Sequence, residues 1–171
     1  MLEIMKKETF QNDLAHIYAA YRYFASCIPQ DELFVNEKAV CVGKTLFEKR
    51  SQALSMRVEL GWAFFTRMVA CLETLAHELK ITSGGTGILE YLEKNGCILS
   101  DHEKKALSVY REIRNTLHHG DGNSEYLSKR PSILVVDSGK EPHLFEEQMS
   151  MFYELFKKVG EFLTKPSTPT K

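Results

Sequence analysis

Apolar residues recur every three or four positions over most of the chain, and this spacing places them on one face of an α-helix. The first stripe lies in residues 7–28 and ends at Pro29. It runs through Phe10, Leu14, Ile17, Tyr21, Phe24 and Ile28. Further stripes predict helices over about 44–80, 88–95, 101–119 and 145–164. The chain is therefore predicted to be all-α, an antiparallel bundle in which these apolar faces meet.

Helix 101–119 has recognisable signals at both ends. Ser100 and Glu103 form a capping box, in which the Ser hydroxyl accepts from the Glu103 backbone N–H while the Glu103 carboxylate reaches back. Gly120 and Gly122 follow the last apolar position and are expected to end the helix, because glycine readily adopts the left-handed conformation found there. Local chemistry alone thus predicts where this helix starts and stops.

The segments between the helices are predicted to be connections. Residues 81–87 contain three glycines, but no strand precedes them, so we interpret them as a flexible link rather than a phosphate-binding loop. Residues 123–144 look irregular, with a strand-like run at 132–136 followed by a turn at 137–140. This pattern predicts a small irregular or β-hairpin insertion near 125–142.

The 171 residues are enough for one domain with a substantial core, which we place at residues 1–164. The tail, residues 165–171, contains two prolines and is expected to be disordered. No stretch of about 18 apolar residues is present, and the charged first seven residues are not those of a secretory signal. We therefore expect a cytoplasmic protein that does not enter a membrane.

Metal and nucleotide motifs are not found in the sequence. The cysteines stand singly at positions 27, 41, 71 and 97, without the spacing of a zinc or redox motif, so they are expected to be buried, reduced thiols. Gly43-Lys44-Thr45 resembles the end of a P-loop, but Lys38 occupies the position where that loop needs its first glycine. We therefore expect neither a cofactor nor a metal.

The end of helix 101–119 concentrates groups suited to phosphate chemistry. Within nine residues it carries Arg111, Arg114, Asn115, His118 and His119. Imidazole binds or releases a proton near neutral pH, and guanidinium presents a planar fork of donors that matches phosphate oxygens. These groups together can cleave a phosphodiester without a metal ion. Because the net charge of the chain is −1, attraction to RNA would have to come from such a local patch.

Helix geometry restricts how these groups can cooperate. On a continuous helix Arg114 and His118 are about 40° apart, whereas Arg114 and His119 are about 140° apart. Arg114 and His119 therefore converge only if the last turn unwinds or if two chains pool their residues.

A second stripe in helix 44–80 consists of small or polar residues at spacings of three and four. Its members are Glu59, Ala63, Thr66, Ala70, Glu73 and His77. One interpretation is a solvated flank of an amphipathic helix. The other is a wall of an active groove, in which Glu73 or Glu59 orients Arg114.

Arg114-Asn115-x-x-x-His119 resembles the signature of the HEPN superfamily, written R-x4-6-H and often with Asn after the Arg. It is also similar to the nuclease end of the kinase-linked HEPN endoribonucleases. The resemblance is strong over residues 98–122, and its helix layout extends over most of the chain. It implies a bundle of HEPN type in which two copies of the motif meet across a two-fold axis.

The same resemblance implies a metal-independent endoribonuclease that acts on RNA as a homodimer. The 2′-OH would attack the neighbouring phosphorus, with His119 as general base or acid. Arg114 would stabilise the charge on the phosphoryl oxygens, and Asn115 would position the backbone or the imidazole. Small HEPN proteins include toxins and phage-defence effectors, which implies a cognate antitoxin or inhibitor. Asp121 departs from the Tyr often found in the subfamily paired with nucleotidyltransferase antitoxins, and speaks against that partner.

Two other interpretations of the motif stay open. The chain could be a catalytically inactive HEPN fold that binds RNA or a protein partner. The motif could also be no more than a capped helix end with Arg and His residues on its surface.

Overall fold

Five helices contain most of the residues that the structure describes. In this computed structural model these are residues 2–30, 33–34, 38–81, 85–119, 135–136 and 142–165, without the side chains of 2–7, 85–86, 116–119, 135–136 and 142–143. The helices are α1 (Leu2–Ser26), α2 (Arg50–Glu78), α3 (Gly85–Lys94), α4 (Asp101–His119) and α5 (Glu146–Leu163). The predicted helical fold is confirmed at this level.

Two short antiparallel strand pairs accompany the helices. The first joins β1 (Val40–Val42) to β2 (Thr45–Phe47), and the second joins β3 (Val135–Val136) to β4 (Pro142–His143). The second pair lies where the sequence predicts a hairpin, with Val135 opposite His143. Most of the predicted insertion, together with Gly120, Gly122 and the tail 166–171, lies outside the described residues.

The first hairpin corrects the sequence prediction, which began a helix at about residue 44. Residues 45–47 are a strand instead, and α2 starts only at Arg50. Gly43 adopts a φ of +60° in the two-residue turn, a conformation that glycine tolerates without strain. Phe47 then packs with Ile28 and Ala53 in a small second core cluster. Burial of this aromatic side chain favours the strand over an earlier helix start.

Side-chain contacts define the directions of the helices. Phe10 of α1 contacts Cys71 of α2, whereas Tyr21 further along α1 packs on Phe64, so the two helices run antiparallel. Tyr18 stacks on Tyr153 of α5 with ring centroids 4.2 Å apart, while Gln11 bonds to Glu161. Helix α5 is therefore also antiparallel to α1, and the predicted antiparallel arrangement is present.

The core lies between α1, α2, α4 and α5. Its largest fully buried side chains include Phe65, Phe152, Phe156 and Tyr110. Gly61 lies within the continuous helix α2. A Cβ at this position would meet the backbone oxygen and carbonyl carbon of Leu144, so the glycine admits the chain that leads into α5.

The capping box at the start of α4 is confirmed. The Glu103 backbone N–H donates to the Ser100 hydroxyl at 3.2 Å, and the Ser100 N–H donates to the Glu103 carboxylate at 2.7 Å. The same carboxylate accepts two hydrogen bonds from the Lys158 ammonium of α5, at 2.7 and 2.9 Å. Burial acts to raise the pKa of Glu103, but the bonds from Lys158 and Ser100 outweigh it and lower the pKa. This residue both starts α4 and ties it to α5.

The prediction that all four cysteines are buried is wrong. Cys27 and Cys41 are exposed, and Cys71 and Cys97 are only partly buried, while all four are free thiols. Cys27 lies just beyond the end of α1, and Cys41 points outward from a two-stranded hairpin too small to cover it. Within the described part of the chain, no helix is both long and apolar enough to span a membrane.

Candidate functional site

Two neighbouring side chains, one on α2 and one on α4, hold Arg114 in place. Its Nη2 donates to Glu73 Oε2 of α2 at 3.0 Å, and its Nη1 donates to Asn115 Oδ1 at 3.1 Å. The Arg114 and Glu73 side chains are 29% and 21% exposed, so the pair is partly shielded but open to solvent on one side. The structure thus fixes the direction of one predicted site residue through a second.

The sequence of α4 explains why its basic residues lie at the edge of the core. Ala106, Tyr110 and Ile113 are fully buried at spacings of four and three, which anchors one face of the helix. Arg111 and Arg114 follow Tyr110 and Ile113 by one residue each. They consequently lie on the adjacent face, where Arg111 is exposed and Arg114 half-buried.

A cleft of about 380 Å³ separates this face of α4 from α2. It is lined by Ala70, Glu73, Thr74, His77, Arg111 and Arg114. Three members of the small, polar stripe of α2 therefore line a groove together with both arginines. This arrangement favours the interpretation of that part of the stripe as a groove wall rather than a solvated flank.

Of the two glutamates proposed to orient Arg114, the structure places only Glu73 beside it. Glu59 is exposed and precedes Glu73 by about four helical turns, roughly 21 Å along α2. It does not line the cleft. Helical spacing puts both glutamates on one stripe of α2, but α4 crosses α2 close to Glu73, and this brings Arg114 to Glu73 rather than to Glu59.

His77 and Thr74 were not predicted as site residues. Both line the cleft, His77 one turn beyond Glu73 and on the same face of α2. The only sequence signal for His77 is its place at the end of the polar stripe. Recognising it as part of the site requires knowing that Arg111 lies across the cleft.

The backbone of α4 stays helical through His119. Residues 118 and 119 therefore keep their helical positions, about 40° and about 140° from Arg114 around the axis. The last turn of α4 does not unwind before His119. Such unwinding was one of the two ways in which Arg114 and His119 could act together. The side chains of His118 and His119 lie outside the described residues.

Tyr110 adds a buried polar group near the pair. Its ring is fully buried and packs edge-on against Phe156, with centroids 5.8 Å apart. Its hydroxyl has no hydrogen-bond partner among the described residues. Burial, and secondarily the negative charge of Glu73, raise the pKa of Tyr110 well above its ordinary range. This hydroxyl therefore stays protonated at working pH, and Tyr110 serves as a core residue.

No metal-binding cluster of three or more His, Cys, Asp or Glu side chains is found within the described ranges. The polar side chains that line the cleft are two guanidinium groups, an imidazole, a carboxylate and a hydroxyl. Such a set binds anions such as phosphate and positions donors around them.

Comparison of the chain with protein-family models, with curated proteins and with solved structures finds no match. The resemblance to the HEPN superfamily therefore depends on the motif residues alone.

Proposed function

We propose that the chain is a metal-independent endoribonuclease of HEPN type that cleaves RNA at a site shared between two copies. The observation that supports this most is the pairing of Arg114 with Glu73 and Asn115 at the rim of a basic cleft. The same helix carries His118 and His119 at its end. A fixed guanidinium next to a proton-transfer group is what phosphodiester cleavage needs.

The proposed reaction begins at the 2′-OH of the substrate. His119 removes its proton as the oxygen attacks the adjacent phosphorus, and the bond from phosphorus to the 5′-oxygen breaks. The leaving 5′-oxygen takes a proton from a second imidazole, for which the His119 of the second copy is available in a dimer. The products are a 2′,3′-cyclic phosphate and a 5′-hydroxyl. DNA is refused because it lacks the attacking hydroxyl.

Arg114 stabilises the negative charge that develops on the phosphoryl oxygens. Glu73 does not touch the substrate in this proposal. It positions Arg114, because the bond at 3.0 Å restricts a side chain with many rotatable bonds. Asn115 restrains the other nitrogen of the guanidinium.

The proposed dimer is supported by the geometry of one chain. Since the backbone of α4 is helical through His119, positions 114 and 119 lie about 140° apart around its axis. Where two copies of α4 meet by their C-terminal ends at a two-fold axis, each copy supplies its His119 to the Arg114 of the other copy. A cognate antitoxin or inhibitor would then act by covering this shared site.

The test is incubation of the purified protein with single-stranded RNA in EDTA, followed by analysis of the product ends. The proposal expects cleavage with 2′,3′-cyclic phosphate ends, and no cleavage of the same sequence as DNA. Light scattering on the same sample should give a dimer. Cleavage that EDTA abolishes, or a monomer at micromolar concentration with full activity, would contradict the mechanism.

An RNA-binding or interaction module without catalysis is the second candidate. It is favoured by the lining of the cleft, in which Arg111 and Arg114 can bind phosphate without any proton transfer. RNA binding without any cleavage would select this candidate.

A further inference from the structure

The two arginines of the cleft differ in their surroundings. Arg114 is half-buried and bonded to Glu73 and Asn115. Arg111 is exposed, and no ion pair joins it to any residue in the described ranges. Its charge is therefore not matched by a carboxylate in this part of the protein, although it lines the same cleft.

Arg111 and His77 mark one end of the cleft. Arg111 precedes Arg114 by about 4.5 Å along α4, and His77 follows Glu73 by about 6 Å along α2. The cleft thus continues past the Arg114–Glu73 pair toward a guanidinium on one side and an imidazole on the other. Thr74 adds a hydroxyl on the α2 wall between Glu73 and His77.

We propose that Arg111 and His77 bind a second phosphate of the RNA, the one next to the phosphate that is cleaved. This proposal rests on the nuclease function proposed for the same cleft. A guanidinium offers two parallel N–H donors to phosphate oxygens, and even a neutral imidazole donates one N–H. The RNA backbone then follows the cleft from the C-terminal end of α4 toward its N-terminal half.

The carboxylate of Glu73 does not oppose this role. It faces the cleft, but its oxygen accepts from Arg114, so the paired charges largely cancel. The unmatched positive charge among the described lining residues therefore lies at Arg111. A phosphate is therefore attracted to the Arg111 end of the cleft. Binding of that phosphate is a separate role from the stabilisation of charge on the cleaved phosphate, which belongs to Arg114.

Binding of a 2′-O-methyl oligoribonucleotide tests the subsite, because this probe has the RNA backbone but lacks the attacking hydroxyl. Affinity is measured over a range of salt concentrations for the wild type, Arg111→Ala and His77→Ala. Each phosphate contact contributes about 0.7 to the slope of log affinity against log salt for single strands. Arg111→Ala should lower the slope by about that amount and weaken binding about tenfold. His77→Ala should weaken it about threefold, as expected for one neutral hydrogen bond.

Arg22→Ala provides the matched control, since Arg22 is an exposed arginine on α1, which contributes no residue to this cleft. Its slope and affinity should equal those of the wild type. With cleavable RNA, Arg111→Ala should raise KM and leave kcat within about twofold, the pattern of lost uniform binding.

The outcomes separate the subsite from the nuclease. If the wild type cleaves RNA and Arg111→Ala binds the probe with unchanged slope and affinity, the subsite is wrong and the nuclease stands. If the wild type binds with an Arg111-dependent slope but never cleaves RNA, the phosphate contact of Arg111 is confirmed, whereas the nuclease, and with it the place of this phosphate next to a cleaved one, is overturned. A wild type that does not bind the probe overturns the subsite.

Discussion

The ion pair between Glu73 and Arg114 should stabilise the fold by an amount that a double-mutant cycle can measure. The variants are Glu73→Ala, Arg114→Ala and the double variant. Exposed pairs contribute about 0.2–1 kcal/mol, whereas hydrogen bonds to charged groups in shielded sites contribute about 1.5–3 kcal/mol. With side chains 21% and 29% exposed, the pair lies between these cases. We expect a coupling energy of about 1 kcal/mol.

The assay is urea unfolding at a fixed protein concentration, because a dimer makes the apparent stability depend on concentration. A second cycle with Glu59→Ala in place of Glu73→Ala is the control. Glu59 lies on the same stripe of α2 about four turns away, so its coupling to Arg114 should be close to zero. Equal coupling in both cycles, or none for Glu73, would refute the assignment of Glu73 as the residue that positions Arg114.

Three further predictions concern the scaffold. Glu103→Gln should lower the free energy of unfolding by about 1 kcal/mol at pH 7. The pKa of Glu103 is lower in the folded protein than in the unfolded chain, where it is about 4.3, so the carboxylate stabilises the fold above that pH. The difference in free energy of unfolding between the variant and the wild type should shrink as the pH falls through the folded pKa. Gly61→Ala should destabilise by up to about 2 kcal/mol in urea unfolding, since overpacking against the Leu144 backbone costs about 1–3 kcal/mol and the better helix propensity of alanine returns about 1 kcal/mol; a more stable variant would contradict the close approach. Burial raises the pKa of Cys71 to about 11, so at pH 8 it should be alkylated about 100-fold more slowly than an ordinary thiol, while the exposed Cys27 and Cys41 react first; mass spectrometry of the alkylated protein follows each cysteine.

The helices were predictable because each carries a continuous apolar stripe, and α4 also has a local start signal in its capping box. The hairpin before α2 was missed because residues 45–47 fit the apolar stripe of the following helix as well as a strand. Its signal was the Gly43 turn between two short runs of β-branched and aromatic residues, with Val40 and Val42 before it and Thr45 and Phe47 after it.

The candidate site was only partly predictable. The stripe on α2 was visible in the sequence. Its periodicity does not show whether Glu59 or Glu73 contacts Arg114, because that depends on where α4 crosses α2. His77 could not be predicted as a site residue for the same reason, because it belongs to the site only through Arg111 on the other side of the cleft. Whether the two histidines at the end of α4 meet Arg114 within one chain depends on the helix end, where the backbone stays helical through His119.

The most direct test of the nuclease is the RNA cleavage rate of Arg114→Ala, His119→Ala and His118→Ala in EDTA, beside the wild type. All three residues lie near a helix end, so the variants should keep the fold and the dimer. We predict that Arg114→Ala loses about 10²–10³-fold in rate, His119→Ala loses about 10²–10⁴-fold, and His118→Ala stays active. Loss with His118→Ala and activity with His119→Ala would move the catalytic role to the neighbouring residue, and three rates equal to wild type would contradict a nuclease site at the end of α4.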